Sequence, residues 1–258
     1  MTILLIDTAT IGTSVGLADV EGVLCEVVVR GDRRHLELLH PSIRYCLEAC
    51  QLKLGDLSAI AVDRGPGRFT GLRVGIAAAT ALATALDIPL VGVESLDILL
   101  RGSGADCTPS VSVVDLRRNQ LAWRIGAGAT ERSPDRVLPT ATGSPEELAR
   151  ALCSAFPEAT GDGAQQVLLV GDGARSGWSA LESALSSGHS FARPRASQEL
   201  PALRALAEIA FEMLEESPRE ELSTVVPAYL RPPDAAINWE SRTLIPAPEP
   251  ARSESGAQ

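Results

Sequence analysis

One structural unit is written twice in this chain, and that repetition limits its possible folds more than any other feature. An apolar run of strand length ending in aspartate occurs at Ile3–Asp7 and again at Ser110–Asp115. In the first half, the runs Ile3–Asp7, Ser14–Asp19 and Leu24–Arg30 are separated by glycine-containing turns and predict an antiparallel meander. Leu36–Gln51 then repeats apolar residues at helical spacing, with Pro41 placing the start of the regular helix near that residue. Leu57–Val62 reads as a buried strand, Leu72–Leu86 as a helix, Leu90–Val93 as a strand, and Ser95 as the cap of a further helix. The second half follows the same order more loosely. Gln120–Ile125 and Arg136–Leu138 complete its meander, and Ser144 with Glu147 forms a capping box for a helix through Phe156. Val167–Val170, Trp178–Leu185 and Pro201–Glu216 supply a strand and two helices. Residues 1–103, completed by the 200–216 helix, are read as an N-terminal α/β domain. Residues 104–199 form a smaller second α/β domain, and 232–258, rich in Pro, Ser and Glu, a disordered tail.

Composition narrows the chemistry. The 258 residues are 45% apolar and 22% charged, a globular balance with only 3% aromatics. Charge stands at −10, from 23 basic and 33 acidic residues, and Lys53 is the single lysine. That balance argues against nucleic-acid binding by the chain alone, which rests on phosphate neutralisation. It also removes the lysine that a phosphate-gripping P-loop needs. Glycine, proline or charge is expected to break the apolar runs before they reach bilayer-spanning length. With an N-terminus that reads as a strand, a cytoplasmic protein with no membrane partner is expected. Five cysteines (Cys25, Cys46, Cys50, Cys107, Cys153) are read as free thiols, and no metal site is expected.

Three places could carry chemistry. Asp7-Thr8-Ala9-Thr10, turning into Thr13-Ser14, offers a carboxylate and hydroxyls at a strand end. Such a cluster can hold hydrated magnesium and a phosphate, or it can be a hairpin turn held by side chain–backbone bonds. Asp63-Arg64-Gly65-Pro66-Gly67-Arg68-Phe69-Thr70-Gly71 joins a strand to a helix, with Thr70 read as a possible N-cap. Unpaired N–H groups there could face an anion, and Arg64, Arg68 and Arg73 sit where the helix dipole disfavours cations. An anion or an acidic partner is the reading this favours. Finally, Leu72–Leu86 is apolar almost all round, so a second layer or another protein must cover it. The histidines give no metal pair: His35 and His40 lie five apart and His189 stands alone.

Gly65-Pro66-Gly67 followed by Phe69-Thr70-Gly71-Leu72-Arg73-Val74-Gly75 resembles the signature of the TsaB family. Further matches are Ile6-Asp7-Thr8, His35, Ile88-Pro89-Leu90-Val91-Gly92-Val93, Val170-Gly171-Asp172-Gly173-Ala174 and Pro227-Ala228-Tyr229-Leu230-Arg231. Arg68 stands where that family commonly has a small serine. The resemblance implies an actin- and sugar-kinase-like (ribonuclease H-like) fold, with duplicated α/β domains around a cleft. It implies a non-catalytic scaffold that activates the transfer of a threonylcarbamoyl group to N6 of adenosine 37 in tRNAs reading codons that start with A. The implied partners are the catalytic paralogue TsaD, a TsaE-type ATPase and, when alone, a second copy; tRNA is met only through the complex. ATP and a metal ion belong to the partner subunits, with no cofactor in this one. The implied pairing surface uses His35, Leu39 and Ile43 of the first helix and Leu72, Arg73, Ile76, Ala78 and Ala81 of the second. Asp7, Thr8, Gly65, Gly67 and Thr70 are the candidates for a residual anion or nucleotide site. A kinase or ATPase of the same fold is the alternative, and a metallopeptidase the weakest reading.

Overall fold

Strand β1 (Ile3–Asp7) is buried on both faces, which is why its residues run apolar without alternation. Leu4 and Ile6 pack under one helical layer, Ile3 and Leu5 under another. The computed structural model describes residues 1–31, 34–104, 109–126, 139–156, 166–184, 190–217, 222 and 224–230. In the first sheet, β1 pairs antiparallel with β2 (Gly12–Asp19), which pairs with β3 (Gly22–Arg30). On its other side β1 runs parallel to β4 (Ala59–Asp63), and β4 to β5 (Leu90–Val93), giving the order β3-β2-β1-β4-β5. Helices α1 (His35–Ala49) and α2 (Phe69–Leu86) cover one face. Helix α3 (Ser95–Gly102) follows β5.

The second sheet repeats the plan. β6 (Ser110–Asp115) pairs antiparallel with β7 (Leu121–Gly126), which pairs with β8 (Ala141–Gly143). β6 also runs parallel to β9 (Val167–Val170), and β9 to β10 (Phe191–Ala192). Its order, β8-β7-β6-β9-β10, matches the first sheet's β3-β2-β1-β4-β5 element for element. This is the duplicated ribonuclease H-like α/β architecture. The helices here are α4 (Pro145–Ala155), α5 (Asp172–Ser176) and α6 (Trp178–Ala184). Ser144 caps α4 by accepting from the Glu147 N–H, and Glu147 returns the bond to the Ser144 N–H at 2.8 Å. Helix α7 (Leu203–Glu216) closes the other face of the first sheet with Leu203, Leu206, Ala207 and Ala210.

Several local readings change. Helix α1 begins at His35 and carries Pro41 inside it; six residues precede the proline, so only one helical hydrogen bond is forfeited. Thr70 lies in the first turn of α2 rather than capping it, because the helix already starts at Phe69. Ser95 is the first residue of α3, and its hydroxyl donates to Asp63 instead of capping. The third strand of the second meander is Ala141–Gly143, while Arg136–Leu138, His189, Cys107 and the 232–258 stretch lie outside the described residues. Cys25, Cys46, Cys50 and Cys153 are free thiols. Helix α2 is also long and apolar enough, by length and composition, to cross a membrane, because Arg73 is the single charge in its 18 residues. Here it is a sheet-packed helix, with Leu72, Ile76, Ala79 and Ala83 in the core.

Two glycines fix how α2 meets the first hairpin. A Cβ on Gly67 would lie 2.2 Å from the Ala9 carbonyl oxygen, and one on Gly71 only 2.0 Å from that of Thr8. Both obstacles are backbone, so a side chain has no rotamer escape. Gly71→Ala is expected to cost about 3 kcal/mol or more, read as a drop in urea midpoint. An unchanged midpoint would mean that the loop and hairpin do not touch in solution.

Candidate functional site

Both sheets end their parallel strand pairs in aspartates. Asp7 closes β1 and Asp63 closes β4; Asp115 closes β6, and Asp172 follows β9. The two pairs face each other across the junction of the halves, and Arg68 reaches between them. Its Nη2 lies 3.5 Å from Asp172 Oδ2 and 3.9 Å from Asp115 Oδ2, with the arginine side chain 10% exposed. Asp172 Oδ1 also accepts from the Asp115 N–H at 3.0 Å, and Asp115 Oδ1 accepts from the Arg117 N–H at 2.8 Å.

Asp7 and Asp63 are buried and face one another. Asp7 Oδ1 accepts from the Ala9 N–H at 2.9 Å. Asp63 Oδ1 accepts from the Gly65 N–H at 2.8 Å and from Ser95 Oγ at 2.6 Å. The second oxygen of each meets no donor among the described residues, so the pair is buried without a counter-charge, which disfavours two ionised carboxylates side by side. Burial, with the facing Asp63 charge, holds the Asp7 carboxyl well above the usual carboxylate range. Burial likewise pushes Asp63 up to about 7, against the bonds from Ser95 and Gly65. It pushes Asp172 up to about 6, opposed by the Asp115 N–H and the Arg68 charge.

These raised values fix a pH dependence. A carboxyl that binds its proton more tightly folded than unfolded makes the folded state lose stability as pH rises. For Asp63 and Asp172 the penalty is absent below about pH 4 and complete above about pH 7, and the Asp7 carboxyl adds to it in the same direction. Stability is therefore expected to fall by roughly 4 kcal/mol between pH 5 and pH 8. Asp63→Asn should flatten that slope while keeping an acceptor for Gly65 and Ser95. Melting temperatures across the range check this, and a wild-type protein that gains stability with pH would contradict it.

The remaining anion candidates serve the fold. Thr8 Oγ1 donates to the Gly71 carbonyl at 2.7 Å, and the Arg68 N–H donates to the Ala9 carbonyl at 2.7 Å. Gly67 lies against Ala9, Gly65 provides a positive φ of 95°, and Thr70 is exposed on α2. Two of the three arginines that pointed to an anion meet acidic partners within the chain, and among the described residues the third does not. Arg64 pairs with Glu94 at 2.6 Å, Arg68 with the two aspartates, and Arg73 stacks on Phe69. Sequence reasoning missed these pairs because their partners lie as far as 104 residues away. It also missed the acidic quartet as a set, although the aspartate ending both repeated runs signals half of it.

Of the pairing candidates, five are core residues. His35, Leu39, Ile43, Leu72 and Ile76 are buried within the domain, and His35 Nδ1 lies 2.8 Å from Thr13 Oγ1. Helical spacing marks an apolar face without saying whether the chain's own sheet or another molecule covers it. Here the sheet takes those five. Ala78 is half-buried beside the core, whereas Arg73 and Ala81 are exposed. The outer face of α2 is formed by Arg73, Ala77, Thr80, Ala81, Thr84 and Ala85, all exposed among the described residues. Leu36 and Tyr45 of α1 are exposed as well. A cavity of about 340 Å³ opens between the helices, lined by Ile43, Leu47, Leu54 and Leu82. The second layer that α2's composition calls for is thus not supplied by the described residues.

Comparison with known proteins follows the same lines. The family described as TsaD, tRNA N6-adenosine threonylcarbamoyltransferase, matches residues 17–239. A tRNA threonylcarbamoyladenosine biosynthesis protein TsaB of Bacillus subtilis is 35% identical over 122 residues, 47% of this chain and 53% of that protein. An uncharacterized protein of Mycobacterium leprae is 39% identical over 162 residues, 57% of this chain and 44% of the relative. The chain thus spans about half the length of the curated relatives it matches. A crystal structure from Pseudomonas aeruginosa, described as an uncharacterized protein with similarity to the peptidase YeaZ, superposes with a TM-score of 0.68 at 25% identity. That superposition covers 89% of this chain and 99% of the other. With a match running over most of its length, this chain belongs to the TsaD family, and within it resembles the TsaB proteins.

Proposed function

We propose that this chain is a non-catalytic subunit that activates threonylcarbamoyl transfer to N6 of adenosine 37 in tRNA. The observation that carries the reading is Arg68, whose guanidinium fills the junction where a nucleotide-cleft enzyme would need room for phosphates. Asp115 and Asp172 hold that guanidinium in place, and the glycine-loop backbone is already docked on Thr8 and Ala9. An arginine standing in phosphate space beside a loop already docked on the first hairpin supports the reading in which no catalytic step runs through this cleft. A kinase, ATPase or metallopeptidase role therefore has less support than a scaffold.

The working surface is then the exterior. Helix α2 presents small residues outward, the material from which close helix–helix packing is made, and α1 adds the exposed Leu36 and Tyr45 beside Glu37, Arg44 and Glu48. A catalytic TsaD-type subunit is the occupant this reading assigns, with a TsaE-type ATPase joining the pair. ATP and the metal ion belong to those subunits, and tRNA is met through the assembly. A second copy of this chain uses the same face when the partner is absent, so homodimer and heterodimer exclude one another. Omitting this protein from tRNA threonylcarbamoylation reconstituted from purified components is expected to stop the reaction. Full activity without it would overturn the proposal.

A further inference from the structure

Arg73 is a cation placed where its own helix disfavours one. It sits in the second turn of α2, close to the partial positive charge of the helix N-terminus. Its guanidinium carbon lies 3.8 Å from the Phe69 ring centroid and 5.8 Å from that of Tyr229. Its Nε donates to the Tyr229 hydroxyl at 2.9 Å, and the two rings are 5.2 Å apart. Tyr229 reaches α2 because the 224–230 segment folds back, with the Ala228 N–H bonded to the Arg64 carbonyl at 2.8 Å. Among the described residues no carboxylate lies within ion-pair distance of Arg73, whereas Arg64 and Arg68 both have acidic partners. The clamp orients the guanidinium, and no acceptor among the described residues meets its two Nη groups.

We propose that Arg73, held by Phe69 and Tyr229, is the docking anchor for a carboxylate side chain of the protein that covers the α1–α2 face. This rests on the pairing surface assigned above and names the chemistry its partner must bring. Charge complementarity selects an acid, and the planar fork selects an acceptor that takes two parallel bonds. The surroundings favour a protein acid over an RNA phosphate. Phe69, Val226, Tyr229 and Leu230 are exposed around the clamp, an aromatic and apolar rim with a single uncompensated cation. Protein interfaces concentrate their affinity in such arginine–aromatic clusters. An RNA backbone instead needs several uncompensated cations at phosphate spacing, and the chain carries a net charge of −10.

The test titrates the full chain against its purified TsaD-type partner by calorimetry. Arg73→Met keeps the stem stacked on Phe69 and should weaken pairing roughly 10- to 100-fold, the scale of a charge-assisted hydrogen bond. Arg73→Lys, with the charge but not the fork, should fall between it and wild type. Ala81→Arg, on the same face, should block pairing altogether. If Ala81→Arg pairs normally, the surface itself is misassigned and this proposal falls with it. If Ala81→Arg blocks pairing while Arg73→Met binds like wild type, only the anchor is overturned. If Arg73→Met pairs normally and the assembled complex binds tRNA more weakly, the acceptor is a phosphate and the protein-acid proposal is wrong. Melting curves of each variant confirm that the monomer is folded.

Discussion

Replacing Arg68 with methionine is expected to lower the unfolding free energy by about 3 kcal/mol at pH 8, and by distinctly less at pH 5. Arg68 comes from the loop after β4, while Asp115 and Asp172 belong to the second sheet, so the pair joins the two halves. Asp172 is 5% exposed and Asp115 15%, so removing the cation leaves one buried and one half-buried carboxylate without their counter-charge. Breaking such a pair is costly because the surviving charge keeps its desolvation penalty. The N–O distance of 3.5 Å is longer than an ideal charge-assisted bond, which places the figure at the lower end of that range. The pH contrast follows from Asp172. Its carboxyl is already pushed up to about 6 with Arg68 present, and losing the arginine raises it further. As pH falls below 6 the acid takes a proton and the uncompensated charge vanishes. Urea unfolding at the two pH values checks both parts. An equal loss at both would show that the arginine stem, not its charge, matters.

The second large effect concerns assembly. Ala81→Arg is expected to weaken pairing with the catalytic partner by several orders of magnitude while leaving the monomer's melting unchanged. Ala81 is exposed on α2, so a long side chain there meets only water in the free chain. Surface substitutions of that kind usually alter stability by no more than about 0.5 kcal/mol. Under a packed partner helix the same guanidinium would be desolvated without a counter-ion, at a cost of several kcal/mol. Ala78 is the poorer choice, since it is half-buried against Val74, Leu82 and the core and an arginine would disturb the fold itself. Loss of pairing with loss of folding at position 81 would place that residue in the core instead.

Much of the architecture was legible because periodicity is local. The continuous apolar runs of β1 and β4 announce strands covered on both faces, and Ser144 with Glu147 marks the start of α4 within four residues. The two aspartate-terminated runs, β1 and β6, reveal the duplication. What could not be read is which of several similar groups meet in space. Three arginines near one helix end read alike in sequence, yet Glu94, Asp115 and Asp172 stand beside Arg64 and Arg68 and leave only Arg73 without an acidic partner among the described residues. In the same way His35, Leu39 and Ile43 carry the pattern of an exposed apolar face, yet β2 and β3 lie beneath α1 and take them into the core. A proline inside α1 was also overestimated as a breaker, because tertiary packing outweighs one missing hydrogen bond.

The central claim is that this chain works through the outer face of α1 and α2 and not through the cleft between its sheets. Threonylcarbamoyl transfer reconstituted with purified partners separates the two most directly, using Asp7→Asn for the cleft and Ala81→Arg for the surface. Asparagine keeps the acceptor that meets the Ala9 N–H. Transfer is predicted to continue near the wild-type rate with Asp7→Asn and to fall to the level without this chain with Ala81→Arg. The opposite pattern, activity lost with a folded and assembled Asp7→Asn and kept with Ala81→Arg, would contradict the account.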